Sequence, residues 1–196
     1  SSEHFGNIVQ KTIQNASGEQ NVNARQAFQN IKRTKNVDDL TLPYRVRGAN
    51  APESINVYTD GNWLYAAQQF IGIGGAGVWW PKRTINRLPN MLHIPISDAE
   101  HEIAIFKQEE EGTAAYTNIG GYTGSSTRTE VAAGIIAVSA HGPVHIGSDS
   151  EAFVNKANNL IDSINQNDDN INWSIQGDGD LWNHFHKAVK SKGTHA

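Results

Sequence analysis

From residue 55 onward, apolar residues first recur at every second position and later at every third or fourth, and this change of period limits the fold more than anything else in the chain. Ile55, Val57 and Thr59 alternate with Asn56, Tyr58 and Asp60, the pattern of a strand with one buried face. The run FIGIGGAGVWWP predicts a second strand; its glycines suit a bend or a close backbone approach, and Pro81 closes it. These two runs suit a hairpin, and AAYTNIGGYTG offers another strand. The period then lengthens. TRTEVAAGIIAVSA predicts a helix with Val131, Ala132, Ile135 and Ile136 on its buried side. VHIGSD is a short strand. SEAFVNKANNLIDSI keeps Phe153, Ala157, Leu160, Ile161 and Ile164 at helical spacing, and DGDLWNHFHKAVKSKG places Leu181, Trp182, Phe185, Ala188 and Val189 on one helical face. Three strands, a helix, a strand and two helices make an α/β domain with a mixed sheet.

A chain of 196 residues can bury a real core and is most economically one domain with an appendage. Residues 1–50 begin rich in Gln, Asn and Ser and turn basic around Arg25, Lys32, Arg33, Lys35, Arg45 and Arg47. They read as an extension or linker, a solvated basic segment in which NARQAFQNIKRT can form a short helix. Residues 51–196 form the domain. Within them, residues 82–111 are a polar interval with a strand-like piece, HEIAIFKQ, and acids at Glu109, Glu110 and Glu111, which reads as an insertion between strands.

The composition narrows the chemistry. With no cysteine in the chain, any metal must be held by oxygen or imidazole. The net charge of −4 lacks the basic excess of a protein that lives by phosphate attraction. A carboxylate cluster that binds cations would recover that affinity locally. No stretch approaches the about 20 apolar residues of a membrane span, and the polar start has no signal-like apolar core. The expectation is a soluble intracellular chain with no membrane partner.

Two-metal phosphodiester cleavage needs several carboxylates converging on one point, because hard cations take oxygen ligands. Three acids sit at suitable places: Asp60 late in the first strand, Glu130 in the opening turn of the first domain helix, and Asp149 just past the later short strand. Each has a structural alternative. Asp60-Gly61 is a favoured type I′ turn dipeptide. Glu130 stands at capping-box spacing from Thr127. Asp149 precedes a helix, although Ser148 and Glu151 already have the spacing of a cap for it. Other candidates carry less. His184 and His186 are two apart on a helix and diverge. Gly142-Pro143 separates His141 from His145. IGIGGAG lacks the remainder of a phosphate-loop motif. Ser125, Ser126 and Ser139 have no nucleophile-elbow context.

Taken in order, VYTDGNW, STRTEVAAGIIA, HIGSDSEAFV and DGDLWNHFHKAV resemble the type 1 ribonuclease H family over about residues 54–193. The resemblance implies a ribonuclease H-like mixed sheet of five strands flanked by helices. It also implies cleavage of the RNA strand of an RNA–DNA hybrid with two Mg²⁺ or Mn²⁺ ions. On the matched motifs Asp60, Glu130 and Asp149 are the catalytic metal ligands. Gly61 lets the backbone approach the RNA strand, and Ser126 and Thr127 take the place of residues that face the hybrid's minor groove. The family's last strand, its histidine-bearing loop and a final helix with a fourth catalytic aspartate have no counterpart before the chain stops at SKGTHA, so the expected domain is C-terminally incomplete. Asp178 and Asp180 fall at the start of the DLW helix, away from the fourth position. A missing segment or a partner would then complete the site. The alternative is a nucleic-acid-binding or assembly module of the same fold with little or no activity.

Overall fold

The computed structural model describes residues 37–64, 73–120, 126–168 and 170–196. The expected helix in NARQAFQNIKRT lies outside these residues. Five strands form the main sheet: β1 (Val57–Leu64), β2 (Ile73–Trp80), β5 (Ile105–Gln108), β6 (Thr113–Gly120) and β7 (Ile146–Ser148), in the order β5-β6-β2-β1-β7. β1, β2, β6 and β5 pair antiparallel in succession, whereas β7 joins β1 in parallel, with Val57 opposite Ile146 and Thr59 opposite Ser148. A mixed sheet flanked by helices is the α/β architecture that the change of period predicts. The alternation holds only in part: Val57 and Thr59 are buried on one face of β1, but Ile55 precedes the strand and is exposed, and on β2 residues 75–80 are buried on both faces.

The helix α2 (Ser126–Val138) lies at the centre of the core. After its polar first turn, residues 131–138 are apolar or glycine on every side, as in a helix enclosed by its neighbours. Val131, Ala132, Ala133, Ile135, Ile136, Ala137 and Val138 are all buried. α2 packs on β1 and β2 and, on its other side, on α3 (Glu151–Asn165) and α4 (Gly179–Lys192). Gly134 gives room for the ring of Phe153, whose Cε2 lies 2.6 Å from where a Cβ would stand. Phe153, Trp182 and Phe185 close the layer, with ring centroids 5.6 to 5.7 Å apart.

The interval 82–111 contains more order than an elaboration between strands. β3 (Arg83–Thr84) pairs in parallel with β4 (Leu92–His93), α1 spans Asp98–Ile103, and β5 supplies the edge strand of the main sheet. The strand-like piece HEIAIFKQ is therefore divided. Ser97 and Glu100 form a reciprocal capping box that draws His101–Ile103 into helix, and only Ile105–Gln108 is strand. Arg83 anchors the interval. Its guanidinium meets both oxygens of Glu100 at 2.7 and 2.9 Å, with both side chains at most 1% exposed, and it donates to the carbonyls of Ile94 and Pro95.

Residues 37–50, read as linker, dock on the domain. Ser191 Oγ donates to the Pro43 carbonyl, the Val46 amide donates to the Lys192 carbonyl, and Thr41 is held by the carboxylate of Glu102. Lys192 is itself buried. Its Nζ donates to the carbonyls of Ala140 (2.6 Å) and Gly142 just beyond the C-terminal end of α2, where a cation complements the helix dipole.

Candidate metal centre

Asp60 is the fourth residue of β1, and Gly61 follows it inside the strand. They pair with Gly77 and Ala76, so the type I′ turn reading is overturned: the ladder runs on through both residues. β7 ends opposite Thr59, and Asp149 follows it directly. Past that register the β1 backbone meets side chains rather than a strand. The Gly61 amide donates to Asp60 Oδ1 at 2.9 Å and to Glu130 Oε1 at 3.2 Å.

Glu130 reaches this point from α2. The helix already begins at Ser126, so Thr127 lies within its first turn, and the Glu130 carboxylate turns to Gly61 rather than back to a cap. Asp149 is likewise no cap. The N-cap of α3 is Ser150, whose hydroxyl accepts from the Phe153 amide. Ser148, which has capping spacing in the sequence, instead accepts from the Ser150 amide. A strand, a helix and the residue after a second strand thus bring three acids together. One carboxylate oxygen from each of Asp60, Glu130 and Asp149 lies within 4.8 Å of the others.

The electrostatics are those of a site short of positive charge. Burial, then the charges of Asp60 and Asp149, push Glu130 up to about 7, against the opposing pull of the Gly61 amide. Burial first and Asp149 second raise Asp60 as well. Glu130 Oε2 is buried without a hydrogen-bond partner, an unusual state for a carboxylate oxygen. An all-oxygen donor set suits a hard divalent cation, which binds such oxygens at about 2.0 to 2.6 Å. Small side-chain movements would bring the three acids to such an ion, and it would satisfy Glu130 Oε2. The residues present fit a metal.

Other sequence candidates fall elsewhere. Thr127 is half-buried one turn before Glu130 on α2, while of Ser126 only the backbone position, at the start of α2, is described. Gly61 presents its bare Cα side to α2 rather than to an approaching ligand. Asp178 and Asp180, at the start of α4, are held by Arg128: Asp180 at 2.8 and 2.9 Å in a two-pronged pair and Asp178 at 3.4 Å. Arg128 was not a sequence candidate, and an ion pair spanning 52 positions leaves no local signal. His145 Nδ1 lies 2.9 Å from the Pro52 carbonyl, His141 is parallel to Tyr44, and His184 and His186 are buried in α4. Among the described residues Asp60, Glu130 and Asp149 form the one cluster of metal-ligating type. No described helix is long and apolar enough to cross a membrane. Comparison of the chain with models of known families, with curated proteins and with solved structures returns no match.

Proposed function

We propose that this chain is a metal-dependent nuclease of the ribonuclease H type, cleaving the RNA strand of an RNA–DNA hybrid. The observation that carries this reading is the convergence of Asp60, Glu130 and Asp149 from three separate elements within 4.8 Å. The orphaned Glu130 Oε2 supports it, since that atom needs a cation or a proton. When bound, two Mg²⁺ or Mn²⁺ ions would supply Lewis-acid activation of a water and of the departing 3′ oxygen. The protein's part is to hold the acids. Asp60 and Glu130 are fixed from β1 and α2 by one shared amide, and Asp149 is the exposed member, on the side from which a phosphodiester arrives. Thr127, a turn before Glu130, would offer its hydroxyl to a 2′-hydroxyl, the group that distinguishes RNA from DNA.

The second reading, a binding or assembly module of this fold, is favoured by one finding. Asp178 and Asp180 are engaged by Arg128, and no fourth acid joins the cluster among the described residues. A cleavage assay separates the two. With Mg²⁺ present, the chain should cut the RNA strand of a labelled hybrid, and Asp60→Asn should abolish cutting while keeping the far-UV spectrum. Hybrid binding without cleavage by the unsubstituted chain would establish the module instead.

A further inference from the structure

We infer that Gly61 is the positioning residue of the metal centre, bringing Glu130 to Asp60 both by its missing side chain and by its shared amide; this rests on the metal-binding reading of the cluster. Val57, Thr59 and Gly61 share the face of β1 that packs on α2. A Cβ at Gly61 would overlap Thr129 Oγ1 and stand 2.7 Å from both Glu130 N and Thr129 C, well inside the 3.4 Å at which ordinary contact begins. Two of these three atoms are helix backbone, which has no rotamer to escape into. Relief therefore requires the backbones of β1 and α2 to move apart. Gly61 lies in extended strand without a positive φ, so its lack of a side chain answers to space and not to backbone conformation.

The amide acts on the same carboxylate. The Gly61–Glu130 hydrogen bond is 3.2 Å long, at the far end of the normal range, and a helix displaced by several tenths of an ångström breaks it. This tight contact between β1 and α2 is thus also the point at which two candidate ligands share a donor. Residues that orient ligands without touching the metal typically contribute 10- to 100-fold in metal affinity.

The test is Mn²⁺ titration of the full chain by calorimetry, with Gly61→Ala beside Gly134→Ala as control. Gly134 is a second glycine where a Cβ would collide, but with Phe153 on another side of α2. Gly61→Ala should bind Mn²⁺ about 10- to 100-fold more weakly. Gly134→Ala should bind as the unsubstituted chain does, even with a lowered Tm. Because Gly61→Ala can fail to fold, the amide supplies a second readout. The Gly61 amide proton in the metal-free chain should shift in NMR spectra when Glu130 becomes Gln. Unchanged Mn²⁺ affinity in folded Gly61→Ala, or an unmoved amide in Glu130→Gln, overturns the inference. If the unsubstituted chain binds no Mn²⁺, the metal-binding reading falls, and the amide alone decides whether Gly61 organises the acid pair.

Discussion

At Glu130, burial and like charge act in the same direction, and the consequence is a measurable pH dependence. Its folded value of about 7 stands above the ordinary 4.5, so the folded metal-free chain keeps a proton that the unfolded chain has released. Stability from this group is therefore fully present below about pH 4.5 and is lost as pH rises through about 7. In EDTA, Glu130→Gln should melt higher than the unsubstituted chain at pH 8, with the gap closing toward pH 4.5. Parallel Tm profiles for the two proteins would contradict the assigned environment. The three acids themselves were legible from motif order. What local spacing left ambiguous was each side chain's partner. Thr127 and Ser148 both have capping spacing, yet α2 begins before Thr127 and Ser150 is the cap of α3. Candidate caps one or two positions apart differ in backbone dihedrals that composition does not encode.

Among the elements, the least legible was the interval 82–111. It reads as a polar interval with one strand-like piece, whereas Ser97 and Glu100 start α1, and Glu100 also holds Arg83, a pairing that links elements 17 positions apart. Both members are buried and hydrogen-bonded on several sides, so removing one strands a charge. Glu100→Leu should cost about 3 to 5 kcal/mol in urea unfolding. The double variant Arg83→Met, Glu100→Leu should recover much of that loss, because an apolar pair of similar volume has no charge to desolvate. A double variant no more stable than the single one would show that the pair's other hydrogen bonds dominate. α2 was easier to place as a helix than to orient. Its periodicity marked one buried side, whereas the structure buries residues 131–138 on all sides between the sheet and two helices.

Over the whole molecule, metal binding at the proposed site would be coupled to folding, since Asp60, Glu130 and Asp149 meet only in the native chain. A cation that binds the folded state alone stabilises it by about 2.7 kcal/mol at a free concentration 100 times Kd. Mn²⁺ should therefore raise Tm reversibly, EDTA should cancel the rise, and Asp60→Asn with Asp149→Asn should lose it. A rise retained by the double variant would place the cation elsewhere. By itself the sequence determined the kind and order of the main elements outside the interval 82–111 and put an acid in or beside three of them, because hydrophobic period is a local property read within a dozen residues. Tertiary structure alone decided which partner each acid meets. Gly61 and Glu130 are 69 positions apart, and Arg128 draws off Asp180 from 52 positions away. Those distances are closed by packing α2 against a glycine in β1, where the fit of backbone to backbone, not any local pattern, sets what meets.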